Sequence, residues 1–178
     1  LKKIGDSKLN IEFSSELHLN NVDDEFLELC KYSKMNGLKF GIESAIEEVR
    51  DASNRFSVSN DKQKTLIQKI KKAGIKTVGM FILAQPTDTR ETCLQTIDYA
   101  CSLNLDVAQF SIFTPYPGTP YYKKNLSKVK NTEYQNFNQY RLVYEHDKID
   151  QVEARELLET AYKKFIYSKI KRFFLRIN

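Results

Sequence analysis

The stretch spanning residues 76–120, KTVGMFILAQPTDTRETCLQTIDYACSLNLDVAQFSIFTPYPGTP, leaves few folds open to this chain. Two apolar, β-branched runs, at 76–84 and 107–113, flank one amphipathic segment, and each run ends in a proline-marked turn. Such runs, separated by a helix-length segment, predict a βαβ unit of a parallel sheet, because strands covered on both faces need little polar alternation. Ligands of parallel sheets sit at the carboxyl ends of the strands, which here means the loops at 85–89 and 114–120.

The same unit recurs upstream. Residues 8–19 predict a strand, and Asp23 opens a helix with Phe26, Leu27, Leu29, Cys30 and Met35 inward and Asn36-Gly37 as its stop. A strand at 38–44, a short helix at 46–54 and a helix at 61–73 closed by Gly74 follow. Strand starts recur about every 30 residues, as successive βα units require. Right-handed crossovers wind such units into a doubly wound sheet or a barrel, and pattern alone leaves both open. The barrel core is expected over residues 1–122. A carboxyl-terminal part, 123–178, begins with the polar, Asn-rich KKNLSKVKNTEYQNFNQ. It continues through a strand-like QYRLVYEH into a final helix from Gln151 to Phe174, with Val152, Leu157, Leu158, Ala161, Tyr162, Phe165 and Ile166 on one face.

At 178 residues, 41% hydrophobic and 29% charged, the chain is long enough for one sizeable core and too balanced for disorder. No apolar run approaches the roughly 20 residues of a membrane span, and the opening LKKIGDSKLN has no signal-peptide core. The first residue is Leu1, so a processed chain or a fragment is expected. The three cysteines, Cys30, Cys93 and Cys101, fall among apolar helical positions without metal-ligand spacing, which points to a reducing, cytoplasmic setting. The net charge of +5 gathers late, at Lys163, Lys164, Lys169, Lys171, Arg172 and Arg176. A solvated helix face explains that cluster better than a nucleic-acid surface, because Phe165, Tyr167, Phe173 and Phe174 read as a packing stripe beside it.

Chemistry is sought at strand ends. Glu16 lies near the end of the first strand, and Glu43 with Ser44 closes the second. A carboxylate there can accept hydrogen bonds from a ribose or an ammonium, whereas a cap for Ser44 and salt bridges for the glutamates are the structural readings. Arg55 can clamp a ligand carboxylate or simply face solvent. His18 and His146 have no ligand-spaced companions, so neither is read as a metal ligand or activating base.

Taken together and in order, GIES at 41–44, MFILAQPTDTRET at 80–92 and FSIFTPYPGTPYY at 110–122 resemble the carboxyl-terminal half of radical S-adenosylmethionine (radical SAM) enzymes. SSELHLNNVDDEFLELC at 14–30 and ELLETAYKKFIYSKIKRF at 156–173 extend the similarity toward the branch whose members often carry an upstream cobalamin-binding domain. The resemblance implies a partial (β/α) barrel, the last four strands of a (β/α)6 barrel, followed by a helical tail. It implies S-adenosylmethionine and a 4Fe-4S cluster as cofactors, and cobalamin through an upstream domain. The cluster would be held by a C-x-x-x-C-x-x-C motif in an amino-terminal half that this chain lacks. A 5′-deoxyadenosyl radical would then abstract hydrogen from a small-molecule substrate or initiate methyl transfer. By resemblance, Glu16 lies near the methionine part, Glu43 with Ser44 at the ribose, Arg55 at the methionine carboxylate, and the backbone of Phe113 and Thr114 at the adenine. Ala45, Ala84 and Thr87 stand where relatives carry glycine, which leaves a non-catalytic half-barrel remnant or interaction module as an alternative. An unrelated phosphate-handling barrel is the other, against which no glycine-rich phosphate loop follows any strand.

Overall fold

A computed structural model describes residues 1–52, 58–130 and 133–175. One parallel sheet runs through them in the order β1 (Phe13–Glu16), β2 (Met35–Glu43), β3 (Lys76–Leu83) and β4 (Val107–Ile112). The helices are α1 (Lys2–Asp6), α2 (Asp24–Tyr32), α3 (Glu47–Ala52), α4 (Asn60–Lys72), α5 (Arg90–Ser102), α6 (Pro120–Lys124) and α7 (Gln151–Phe174). Strand order equal to chain order decides the question that periodicity left open. Right-handed crossovers that always step to the next strand put the helices on one face, as in part of a barrel. A doubly wound sheet would reverse the order partway.

Burial follows the two faces. Leu38, Phe40 and Ile42 of β2, Phe81 and Leu83 of β3, and Phe110 and Ile112 of β4 are buried against the helices. The alternate residues Lys39, Met80, Ile82, Gln109 and Ser111 occupy the open face, exposed or half-buried. Gly79 lies on the packed face, where a Cβ would stand 2.5 Å from Leu105 Cδ1 and 3.1 Å from Ile42 Cδ1. Gly79→Ala is therefore expected to cost about 1–3 kcal/mol through overpacking, read as a lower urea midpoint with unchanged slope.

Local chemistry sets the helix starts. Asp23 Oδ1 accepts from Phe26 N at 2.7 Å, Asp150 Oδ1 from Glu153 N at 2.8 Å, and Thr89 and Thr92 form a reciprocal capping box.

Three differences from the sequence expectations have clear causes. β1 covers only part of 8–19, because β2 begins at Met35 opposite Phe13 and residues 8–12 have no strand to pair with. The turn after α2 is made by Lys34 at φ 61, so Asn36 and Gly37 enter β2 rather than stopping the helix. The strand-like segment at 139–146 makes only one isolated bridge, Val129 with Tyr144, among the described residues. The β4 edge is met instead by one side chain and one carbonyl: Tyr162 Oη accepts from Phe110 N at 3.2 Å and donates to Phe110 O at 3.0 Å, while Ile112 N donates to the backbone Gln139 O at 2.7 Å. The outer edge of β4 is thus blocked.

The final helix packs on α5 and β4 through Ala154, Leu157, Ala161 and Phe165. The expected stripe does not continue: Ile166, Tyr167, Phe173 and Phe174 are exposed where α7 overruns the start of β4. Its basic residues turn to α5. Lys164 pairs with Asp98 at 2.7 Å, Lys169 donates to Leu105 O, and Arg172 donates to Cys101 O at the carbonyl end of α5, where cations are favoured.

Candidate functional site

A cavity of about 420 Å³ opens on the uncovered face toward the carboxyl ends of the strands. Among the described residues, Glu16, Leu17, His18, Gly41, Glu43, Met80, Ile82, Gln109, Ser111 and Gln139 line it, two of them carboxylates. Gly41, Met80 and Gln109 are cross-strand partners, as are Ile82 and Ser111. These side chains come from every strand and from the segment after β4.

Glu43 arrives by an unusual route. The β2–β3 register slips between Gly41 and Glu43, and Glu43 takes φ 66, a conformation that non-glycine residues seldom adopt. Its side chain folds back so that Oε1 lies 2.6 Å from where a Cβ on Gly41 would stand. The glycine vacates the rung, and the carboxylate occupies it beside Met80. Strain of this kind concentrates at functional sites.

The other candidates separate. Ser44 is fully buried on the helix side: its hydroxyl meets Thr96 Oγ1 at 3.1 Å and accepts from Ile46 N at 3.1 Å. Phe113 N donates to Leu83 O at 2.8 Å, and Thr114 Oγ1 donates to Ile112 O at 3.1 Å. The Phe113 ring joins Tyr121 and Tyr144 in an edge-to-face cluster, with centroids 5.0 and 5.6 Å away. Arg55 lies outside the described residues. The structure thus brings Glu16 and Glu43 to one cavity, and Ser44, Phe113 and Thr114 are not among the residues that line it.

Sequence reasoning missed Gln109, Gln139 and His18 as cavity residues. Polar residues on the open-face positions of an apolar strand, as at Gln109 and Ser111, were the available signal.

Among the glycine replacements, only Ala84 adopts left-handed backbone, at φ 55; Ala45 and Thr87 do not. That conformation costs an alanine roughly 1–2 kcal/mol. Its buried methyl recovers about 0.8 kcal/mol, so the two effects nearly cancel. Ala84→Gly is expected to leave stability within about 1 kcal/mol, whereas Ala100→Gly, buried inside α5, should lose clearly more. Thermal melts of the two variants compare them directly. The loop that Ala84 begins is held by Asp88, whose Oδ2 accepts from Gln85 N at 2.9 Å and whose Oδ1 accepts from Thr92 Oγ1 at 2.6 Å. Burial pushes the Asp88 carboxyl above its ordinary range, against the pull of those two bonds.

Four consecutive parallel strands with a polar cavity at their carboxyl ends define half of a ligand-binding β/α barrel. No family model matches the chain. It is 31% identical over 117 residues to an uncharacterized methyltransferase of Pyrococcus horikoshii, covering 66% of this chain and 25% of that protein. Its fold matches the radical S-adenosylmethionine methyltransferase TsrM from Kitasatospora setae, solved with cobalamin and a 4Fe-4S cluster bound. The TM-score is 0.64 at 18% identity, over 74% of this chain and 28% of that one. Coproporphyrinogen III oxidase (HemN) from Escherichia coli, a radical SAM enzyme, matches with a TM-score of 0.63 at 19% identity, over 89% of this chain and 33% of that one. The four strands and the final helix therefore share the fold of part of these two radical SAM enzymes. The chain spans about a quarter of the length of the methyltransferase it matches.

Among the described residues, no cluster of His, Cys, Asp and Glu is arranged to hold a metal, and the three cysteines lie apart on α2 and α5. The chain's own residues do not fit an iron–sulfur cluster. The two cavity carboxylates do fit an ammonium or a pair of ribose hydroxyls. No helix among the described residues is long and apolar enough to cross a membrane.

Proposed function

We propose that this chain is the S-adenosylmethionine- and substrate-facing half of a radical SAM enzyme that carries out hydrogen abstraction or radical methyl transfer on a small molecule. The observation that carries the reading is the position of Glu16 and the refolded Glu43 in one cavity at the carboxyl ends of the strands. Glu43 accepts hydrogen bonds from the ribose and Glu16 faces the methionine ammonium, while the Ser44 hydroxyl fixes the turn before α3 by accepting from Ile46 N. Phe113 and Thr114 form the adenine side. A C-x-x-x-C-x-x-C segment outside this chain would hold the 4Fe-4S cluster, which would supply the electron for reductive cleavage, and any cobalamin would be held by an upstream domain. The amino-terminal half docks at β1, whose outer edge no strand pairs with among the described residues, rather than at β4, whose edge Tyr162 and Gln139 block. Free thiols on α2 and α5 accord with a cytoplasmic enzyme.

The test uses the complete protein, reconstituted without oxygen. Glu43→Ala should weaken S-adenosylmethionine binding by at least about tenfold, the scale of a lost charged hydrogen bond, with iron content unchanged. Unchanged affinity removes Glu43 from the site. Absence of the three-cysteine motif from the complete protein sinks the enzyme reading itself.

A further inference from the structure

The loop after β3 is gripped by the segment before α7 as well as by α5 and its own Asp88. Tyr144 Oη donates to Ala84 O at 2.8 Å, and His146 Nε2 lies 2.8 Å from Gln85 O. The histidine tautomer follows from its other nitrogen. Nδ1 faces Lys148 N at 3.0 Å and Ile149 N at 3.1 Å, both donors, so Nδ1 accepts. The ring proton then sits on Nε2, which donates to Gln85 O. Toward α5 and within the loop itself, Ala84 N donates to Cys93 Sγ at 3.4 Å and Gln85 N to Asp88 Oδ2 at 2.9 Å. All four peptide groups of residues 84 and 85 are therefore committed. Burial raises the Tyr144 phenol well above its ordinary value, so it remains a donor at neutral pH.

This grip explains how Ala84 keeps a left-handed backbone without glycine: strained conformations persist only where the surroundings over-determine them. It also gives the polar segment after β4 a purpose. Tyr144 and His146 sit two residues apart just before α7, so the helix that seals the β4 edge also carries the clamp to the mouth of β3. Leu83, the last residue of β3, adjoins the loop, and Ile82 lines the cavity. We infer that Tyr144 and His146 are positioning residues, which hold the loop at 84–89 in the shape that a ligand at the carboxyl ends of the strands requires. The ligand part of this inference rests on the proposed cofactor site; the clamp itself does not.

Two isosteres of one histidine separate the clamp from a mere helix start. Asparagine at 146 keeps an acceptor near Nδ1 for Lys148 and Ile149 but loses the donor to Gln85, while glutamine keeps a donor near Nε2 and loses the acceptor. In this chain, amide hydrogen exchange at 85–92 should quicken about fivefold in His146→Asn and in Tyr144→Phe, and stay near the parent rate in His146→Gln. His146→Gln should instead loosen the amides of Lys148 and Ile149. In the complete protein, S-adenosylmethionine affinity should fall severalfold in His146→Asn and Tyr144→Phe with iron content constant, and return toward parent in His146→Gln. Equal loosening of the loop in the asparagine and glutamine variants overturns the clamp, as does parent-like exchange in both His146→Asn and Tyr144→Phe. A parent protein that binds no S-adenosylmethionine removes the proposed function and the ligand part of this inference, while exchange still decides the clamp. Loosened loops with parent-like affinity overturn the positioning role alone.

Discussion

Arg50→Ala is expected to destabilise the fold by about 3–5 kcal/mol. The Arg50 side chain is only 2% exposed, although it is a charged group on the short helix α3. Nη1 donates to Ser44 O at 2.5 Å and to Asn60 Oδ1 at 3.0 Å, and Nη2 faces Glu47 at 3.4 Å. Asn60 in turn donates to Ala45 O at 2.8 Å. Truncation opens a cavity and leaves the Ser44 carbonyl without its donor, so the two costs add. Glu47 is 60% exposed and regains water, so its ion pair contributes little to the loss. Equilibrium urea unfolding measures the effect, and a loss under about 1 kcal/mol would mean that water replaces the guanidinium. Because Ser44 follows Glu43 directly, Arg50→Lys should also disturb the cavity carboxylate: a lysine brings one nitrogen where Nη1 and Nη2 together meet Ser44 O, Asn60 Oδ1 and Glu47.

Phe110→Ala should cost a comparable amount, about 3–5 kcal/mol, and should do so by releasing the final helix. The ring is fully buried, stacked on Phe81 with centroids 5.3 Å apart, and met edge-on by Tyr162 at 5.4 Å and Phe165 at 6.3 Å. Tyr162 and Phe165 both belong to α7, so this one residue joins the helix to the sheet. The Tyr162 phenol also closes the exposed backbone of β4, and its loss would uncover an edge that recruits other strands. Hydrogen exchange should therefore rise across residues 154–165 before it rises in β2, and the variant should associate as concentration increases. Uniform exchange across the sheet and α7 would show instead that the two unfold as one unit.

The order of strands and helices was legible because periodicity and caps are local. The run at 76–84, Asp23 before α2 and Gly74 after α4 each announce an element or its end from a few neighbouring residues. Segments without a local answer were misjudged for the corresponding reason. Residues 8–12 alternate like a strand but have no partner to bond with, and 139–146 spends its backbone and side chains on loops rather than on a ladder. The exposed Phe173 and Phe174 look like core residues in sequence, and only the end of the sheet beneath α7 leaves them outside.

By itself, the sequence determined a parallel βα series, the start of α2 and two strand-end glutamates, because hydrophobic period and capping act over a turn or two. The tertiary structure alone decided that the sheet winds in one direction, since strand order depends on contacts far apart in the chain. It alone folded Glu43 back over Gly41 through a slipped register, and turned His18, Gln109 and Gln139 into walls of one cavity. It also joined Tyr144 and His146 to a loop sixty residues earlier, across 60 and 61 positions respectively. No local pattern announces such a pairing, because a hydrogen bond to a peptide carbonyl depends on where the backbone passes and not on which side chain it carries.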